Sequence, residues 1–434
     1  MKRNISIYTA SALVVANMIG TGVFTSLGFQ LSSIHNTYSI LILWFLGGLM
    51  GLFGAFAYAE LGTHFKESGG DYIYLSRVFH PLVGYLSAWA GLTVGFSAPV
   101  ALAAMAFTKY LAPFGLKDNL GLALVVIVLI GLMHSFNLKR SAQLQNISTF
   151  TKVFFLLVLI VLGFLLPGQT NNAFLFSGSW KSEIWSPGFS VSMVYVSFAY
   201  IGWNAAAYVV DEIEKPLINL PKALIISTLF VSIIYILFQV VLLRNASFLA
   251  LSGKEEVAFI SFGNLFGPIG GKWVSVFIAF QLIATISSYL WVGPRVTMAM
   301  ALENKIWEPL AKKNPHGIPV RAVWAHVFIS LILTFTGSFE KVLLYAGFVL
   351  QLMACLTVSS SLFIKWKSPE SFTSPFKPLF QIIFLVFNMA ILVYTLFTRP
   401  LESFIGLGIL ASGLIFYYIK KNPFENLLLM WNKA

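Results

Sequence analysis

The stretch Met18-Ile19-Gly20-Thr21-Gly22-Val23-Phe24 lies in the middle of the first long apolar run of the chain. A similar interruption, Phe198-Ala199-Tyr200-Ile201-Gly202-Trp203-Asn204, lies in the middle of the sixth run. Glycine disfavours a continuous helix by about 1 kcal/mol relative to alanine, and it lets two backbones approach closely. Small residues in membrane helices more often serve close packing alone. The pairing of the two stretches nevertheless predicts a break in each helix.

Apolar runs of membrane-spanning length recur along the whole chain. Of its 434 residues, 58% are hydrophobic and 10% are charged, whereas a soluble domain has roughly 25% charged residues. Twelve runs approach the span of about 20 residues that a bilayer requires. They lie near residues 7–33, 39–62, 82–110, 120–136, 146–166, 188–209, 221–243, 273–300, 319–337, 339–364, 377–397 and 401–419. The sequence therefore predicts an all-α membrane protein with twelve transmembrane helices, in which residues 1–434 form a single transmembrane domain.

The two interrupted runs are five runs apart. This spacing is typical of 5+5 inverted repeats, whose discontinuous first helices meet at the bilayer midplane. It predicts repeats over residues 7–166 and 188–364, with helices 1 and 6 discontinuous and two peripheral helices over residues 377–419. The halves share no clear sequence identity, so the repeat prediction depends on the paired breaks.

The distribution of charge indicates orientation and excludes several classes of protein. The formal net charge is +12, but the basic residues come in ones and twos, so a nucleic-acid surface is not expected. Most of the 28 Lys and Arg residues lie in segments that are inside if the amino terminus is inside, which predicts two cytoplasmic termini. The single cysteine, Cys355, excludes an internal disulfide. We expect a multi-pass protein of the cell membrane, surrounded by lipid, with no cofactor and no metal site.

A broken helix offers both poles that a zwitterion needs. The amides that begin the second half of the helix have no acceptor within the helix, and the helix dipole favours an anion there. The carbonyls that end the first half are free to accept hydrogen bonds from an ammonium group. The breaks around Gly20 and Gly202 are therefore candidates for binding an α-amino acid.

Several stretches resemble a known family. Tyr58-Ala59-Glu60-Leu61-Gly62, followed by Ser68-Gly69-Gly70-Asp71-Tyr72-Ile73-Tyr74, resembles the signature of amino acid permeases in the amino acid, polyamine and organocation superfamily. Both interrupted stretches resemble the substrate loops of that family, and the segment from Asp211 to Pro221 resembles a further motif. The chain is similar to bacterial permeases that resemble L-type amino acid transporters. The motifs extend from the first run to the tenth.

The resemblance implies a LeuT-like fold and assigns roles to the two breaks. The amides of Thr21, Gly22 and Val23 would bind the substrate carboxylate. The carbonyls of Met18, Phe198 and Ile201 would bind its ammonium group, and the Phe198 ring would be an aromatic gate with Asn204 nearby. Ile201 departs from the glycine that relatives often have, which narrows the expected pocket. The full expected substrate-binding set is Met18, Ile19, Gly20, Thr21, Gly22, Val23, Phe198, Ala199, Ile201 and Asn204.

Lys152 lies about two turns into the fifth run, where a cation is costly. Its side chain could extend to the nearby interface. It also resembles the fifth-helix lysine of many permeases in this group, whose amine occupies the place of a sodium ion in sodium-driven relatives. We predict that Lys152 is a coupling residue and that transport does not require sodium. Ser287 and Ser288 are the candidate oxygen ligands from the eighth run.

These observations predict a secondary transporter of α-amino acids that works by alternating access, either as a sodium-independent exchanger or as a symporter with protons. No Asp or Glu lies in the middle of any run, which favours neutral substrates, with cationic amino acids or polyamines as the alternative. A channel or a membrane enzyme is a remote alternative, because neither selectivity rings nor a nucleophile with its base is evident. Glu60 has Arg77 and Lys66 available as partners. Whether a partner subunit exists stays open.

Overall fold

The computed structural model describes residues 5–116, 119–136, 138–170, 179–364 and 370–419, and within these ranges all regular elements are helical. The α-helices are α1 Ile7–Met18, α2 Gly22–Gln30, α3 Thr37–Phe65, α4 Asp71–Val78, α5 Pro81–Ala90, α6 Ser97–Tyr110, α7 Leu120–Phe136, α8 Leu138–Leu165, α9 Trp180–Glu183, α10 Pro187–Ala199, α11 Pro216–Asn245, α12 Phe248–Leu251, α13 Val257–Glu303, α14 Glu308–Ala311, α15 Val320–Thr336, α16 Phe339–Phe363, α17 Leu379–Thr398 and α18 Pro400–Ile419. A π-helical turn, Gly91–Gly95, joins α5 to α6, and a 3-10 helix, Ala205–Glu212, follows α10.

Many of these helices are apolar enough to cross a membrane. In the described part of the chain, eight segments combine the required length with the required hydropathy. They are Ile7–Gln30, Thr37–Phe65, Pro81–Phe114, Pro216–Asn245, Val257–Glu303, Phe339–Phe363, Leu379–Thr398 and Pro400–Tyr418. Four shorter apolar helices are Leu120–Phe136, Thr149–Leu165, Pro187–Ala199 and Val320–Thr336. Each of the twelve predicted runs overlaps one of these segments, although the helix in the run 188–209 ends at Ala199, and the protein is a multi-pass membrane protein.

Both predicted helix breaks are present. Helix α1 ends at Met18 and α2 begins at Gly22, so three residues between them are not helical. Helix α10 ends at Ala199, and five residues separate it from the 3-10 helix that begins at Ala205. Gly202 in this gap has φ +107°, a conformation that residues with a side chain rarely adopt.

The two breaks pack directly against each other. A side chain at Gly22 would overlap the backbone of Ala199, and a Cβ at Gly202 would lie 2.6 Å from the carbonyl carbon of Asn17. Each break thus places a glycine against the backbone of the other helix. These glycines therefore serve close packing as well as interruption of the helix.

The remaining helices enclose these breaks. Helix α11 packs against α1 and α3, and α13 packs against α6, α7 and α8. Helices α17 and α18 pack against α16 on the outside of the bundle, where most of their residues are only partly buried. The long α13 is kinked at Gly267, which has φ +76°. Polar side chains start the helices, as at α10, where the Ser186 hydroxyl accepts from the Phe189 amide at 3.2 Å.

Candidate functional site

The start of α2 presents unpaired backbone amides. The Phe24 amide donates to the Thr21 carbonyl at 3.0 Å, whereas no backbone carbonyl in the described ranges accepts from the amides of Thr21, Gly22 or Val23. The Thr21 side chain does not cap the helix. These are the orphan donors that a helix amino terminus offers to an anion.

A small cavity of about 10 Å³, roughly the space of one water molecule, lies between the two breaks. No charged side chain lines it. Its lining residues are Met18, Gly20, Thr21, Gly22, Pro99, Phe198, Ala199, Ile201, Thr285 and Tyr289. Seven of the ten residues expected from the sequence are therefore brought together around one space. Phe198, the expected gate, is buried in this wall.

The other three expected residues lie beside this space. Ile19 and Val23 are fully buried. The Ile19 carbonyl is occupied by the lysine described below. Asn204 lines a second, larger cavity, and its amide nitrogen donates to the Tyr208 hydroxyl at 3.1 Å.

Two tyrosines that the sequence did not single out organise the carbonyls of the breaks. The Tyr235 hydroxyl lies 2.5 Å from the Met18 carbonyl oxygen and 3.2 Å from that of Ala199, so α11 bridges both breaks. The Tyr289 hydroxyl donates to the Asn17 carbonyl at 3.1 Å. In the sequence each of these tyrosines lies within an apolar run and contributes one hydroxyl group. Nothing in their spacing distinguishes them from packing residues.

Lys152 is buried beside the first break, with 2% of its surface exposed. Its Nζ lies 3.0 Å from the Ile19 carbonyl, 3.4 Å from the Ala16 carbonyl and 2.8 Å from Thr285 Oγ1. The ammonium therefore connects α8 to the end of α1 and to α13, and the side chain does not extend to a membrane interface. The oxygen from α13 comes from Thr285. Ser287, one of the two expected serines, bonds to His134 Nε2 at 2.8 Å instead.

The second cavity, here called the central cavity, has a volume of about 110 Å³. Asp71, at the start of α4, faces it and accepts hydrogen bonds from the hydroxyls of Tyr58 and Tyr208, the latter at 2.7 Å. Ile201 and Tyr289 line both cavities and so form part of the wall between them. The sequence contained Asp71 only as a variable position within a motif, and it gave no signal that this carboxylate faces the interior.

Free amides, opposed carbonyls and a buried ammonium at paired helix breaks are features of a membrane transporter site. The amino acid permease family model matches residues 5–418. The chain therefore belongs to the amino acid permease family.

Individual members of the family are similar to this chain over nearly all of its length. The human protein named large neutral amino acids transporter small subunit 2 is 28% identical over 432 residues, which cover 96% of this chain and 80% of that protein. The human cystine/glutamate transporter is 30% identical over 448 residues, which cover 100% of this chain and 86% of that protein. The mouse Asc-type amino acid transporter 1 is 27% identical over 440 residues, which cover 96% of this chain and 81% of that protein. All three are named as transporters.

Proposed function

We propose that this permease is a secondary transporter that moves neutral α-amino acids across the cell membrane by alternating access. In this proposal the chain has twelve transmembrane helices in a LeuT-like arrangement. Residues 7–166 and 188–364 form the inverted repeats, and residues 377–419 form the peripheral helices. The interrupted helices in equivalent positions of the two halves support the repeat assignment.

The single observation that carries the proposal is the juxtaposition of free amides and carbonyls at the two breaks. The substrate carboxylate would accept from the amides of Thr21, Gly22 and Val23. Its ammonium group would donate to the carbonyls of Met18, Phe198 and Ile201, of which the first two already accept one hydrogen bond each from the protein. Since a carbonyl has two acceptor sites, both can accept another. Phe198 would close over the bound substrate.

The small cavity favours neutral substrates because no charged side chain lines it, and it must widen to admit one. The name of one relative refers to large neutral amino acids, which agrees with this choice. The central cavity favours the alternative, since Asp71 faces it and could pair with the side chain of a cationic amino acid or with a polyamine. Uptake of a panel of labelled substrates separates the two possibilities.

Sodium independence is supported by the position of Lys152. Its ammonium lies between carbonyls of α1 and the Thr285 hydroxyl of α13, a set of oxygens that would otherwise suit a small cation. A second positive charge at this point would be repelled. The charge leaves two modes of coupling open, namely exchange of one amino acid for another and symport with protons.

The proposal is tested by reconstituting the purified protein into liposomes and measuring uptake of labelled alanine, leucine, lysine and putrescine. We expect uptake of the neutral amino acids, at equal rates in sodium and potassium buffers. Unlabelled alanine preloaded inside should accelerate uptake if the protein is an exchanger, and an inward proton gradient should accelerate it if the protein is a symporter. Preference for lysine or putrescine over alanine would overturn the neutral assignment.

A further inference from the structure

Asp71 is a partly buried carboxylate that faces a cavity and has no positive charge beside it in the described part of the chain. Among the described residues that line the central cavity, Asp71 is the only carboxylic acid, and none is a Lys, Arg or His. The ion pairs of the described residues involve Glu60, Glu67, Glu303 and Glu340, and none involves Asp71. Its negative charge therefore has hydroxyl partners but no cation.

The hydrogen bonds at Asp71 hold its two oxygens in place. Tyr58 from α3 donates to Oδ1, and Tyr208 from the 3-10 helix donates to Oδ2 at 2.7 Å. Burial raises the pKa of Asp71, while the hydroxyl hydrogen bonds oppose that shift. Thr357 also contributes as a hydroxyl partner, so of the roughly four acceptor sites on the two carboxylate oxygens about one remains for a further donor.

Aromatic rings surround the cavity beside this carboxylate. Trp203 packs edge-on against Tyr58 with ring centroids 4.8 Å apart, and Phe96 packs edge-on against Tyr208 at 5.8 Å. The faces of aromatic rings attract cations, and most strongly where water is excluded. A carboxylate next to aromatic rings is a binding environment for an organic ammonium group.

The central cavity adjoins the break region, since Ile201 and Tyr289 border both cavities and Asn17 at the end of α1 borders the larger one. Asp71 precedes the third apolar run, on the side of the bundle where the proposed topology places the cytoplasm. A substrate that leaves the breaks towards the cytoplasm would enter this cavity first.

We propose that Asp71 forms a second binding site for an ammonium group, in the central cavity on the cytoplasmic side of the helix breaks. The inference depends on the proposed function for the origin of the ligand. Two sources share the chemistry: the α-ammonium group of a neutral amino acid in transit, and the side-chain ammonium of a cationic amino acid held at the breaks. Either source gives the partly buried carboxylate the cation that the protein does not supply.

A labelling experiment tests the site without requiring transport. Ser87 lines the central cavity, and Cys355 is the only cysteine of the chain. The double variant Cys355→Ala, Ser87→Cys therefore places one thiol in the cavity, with Ala205→Cys as a second reporter on another wall. The rate of modification by a neutral maleimide is measured with the purified protein in the presence of ethylammonium or of propionate. We expect ethylammonium to slow labelling several-fold and propionate to have no effect.

The carboxylate itself is tested by Asp71→Asn in the same background. We expect ethylammonium protection to be lost in Asp71→Asn, restored in Asp71→Glu, and unchanged in the matched control Glu67→Gln, whose carboxylate pairs with Arg77 on the surface. A residue that only joined α3, α4 and the 3-10 helix would change stability without changing protection by an amine. Absence of ethylammonium protection at both reporters, or equal protection in Asp71→Asn, would overturn the proposal.

The source of the ammonium is identified by comparing alanine with lysine as protecting ligands. Protection by alanine that depends on Asp71 assigns the α-ammonium group. Protection by lysine alone that depends on Asp71 assigns the side chain of a cationic substrate. If uptake assays show no amino acid transport while ethylammonium protection persists, the proposed function fails and the ammonium site stands.

Discussion

At the scale of single residues, Lys152 shows what one buried charge can determine. An ammonium group has three donors, and here three oxygens from two helices surround it within 3.4 Å. Because each donor has an acceptor, burial of the charge is compensated. Removal of the ammonium would leave the Ile19 carbonyl and the Thr285 hydroxyl without this partner, next to the amides that are proposed to hold the substrate.

We predict that Lys152→Ala lowers the initial rate of uptake by about ten- to a hundredfold, because each buried group left unpaired costs about 1–3 kcal/mol. The matched control is Lys222→Ala, which removes an exposed lysine of α11 and should leave uptake unchanged. Rates are measured in proteoliposomes with sodium or potassium outside. Normal uptake by Lys152→Ala, or stimulation of the wild type by sodium, would remove Lys152 from the coupling mechanism.

Ile201 is a second single residue with a defined role, since it borders both cavities. Ile201→Ala should join the cavities of about 10 Å³ and 110 Å³ and admit larger side chains. We predict that the ratio of phenylalanine to alanine uptake rises roughly tenfold, the discrimination that a few methylene groups give in an apolar pocket. Ile201→Val is the control and should change the ratio little. An unchanged ratio in Ile201→Ala would mean that Ile201 does not limit substrate size.

The sequence predicted the residues whose chemistry is unusual for their surroundings. A lysine and two glycine-rich stretches within apolar runs are each visible as exceptions, and the structure places all three at one location. Asp71 and Tyr235 were not predicted, because their roles depend on which helices become neighbours. Glu60 illustrates the same limit: it pairs with Lys377 at 3.3 Å, more than 300 positions away, while the nearby Arg77 pairs with Glu67. Local sequence contains no information about such distant partners.

At the scale of helical elements, the glycines of the two breaks differ in what surrounds them. A Cβ at Gly22 would overlap α10 at Ala199, whereas a Cβ at Gly20 would meet Thr285 Cγ2 at 3.4 Å, an ordinary contact. One glycine is required by the contact between the breaks, and the other is not. The sequence alone could not separate them, since both belong to the same stretch.

Gly20 and Gly22 allow a matched prediction. Gly22→Ala should lower the melting temperature and reduce uptake at least tenfold, because overpacking at this contact costs about 1–3 kcal/mol and separates the breaks. Gly20→Ala should keep the melting temperature within a few degrees of the wild type, as expected for a change of well under 1 kcal/mol. Both variants are compared by thermal unfolding and by uptake. Equal effects of the two substitutions would contradict the packing of Gly22 on Ala199.

At the scale of the whole molecule, contacts between helix ends sort into two layers that agree with the proposed orientation. In the layer assigned to the outside, Phe29 stacks on Phe339 with centroids 5.8 Å apart, and the Tyr195 hydroxyl donates to Glu340 at 2.6 Å. In the layer assigned to the cytoplasm, Arg77 pairs with Glu303 at 3.7 Å. Each of these three pairs lies within one layer.

In the proposed orientation the outer layer holds α2, α10 and α16 together and the central cavity lies on the cytoplasmic side of the breaks, so we infer a conformation closed to the outside. The bond from Tyr195 to Glu340 crosses from α10 to α16, and we expect it to form only in the closed state. Alternating access requires that such bonds break when the outer side opens. A substitution that removes one of them without disturbing the helices should therefore shift the equilibrium between the two conformations.

We predict that Tyr195→Phe favours the outward-open conformation by about tenfold, because a hydrogen bond to a charged group contributes about 1.5–3 kcal/mol. The Michaelis constant for external substrate should fall and that for internal substrate should rise, since a larger fraction of the protein faces outwards. Both constants are measured in proteoliposomes of defined orientation, with the exposed Tyr418→Phe as the control. Equal changes on both sides would show that Tyr195 affects substrate binding or stability and not the balance between conformations.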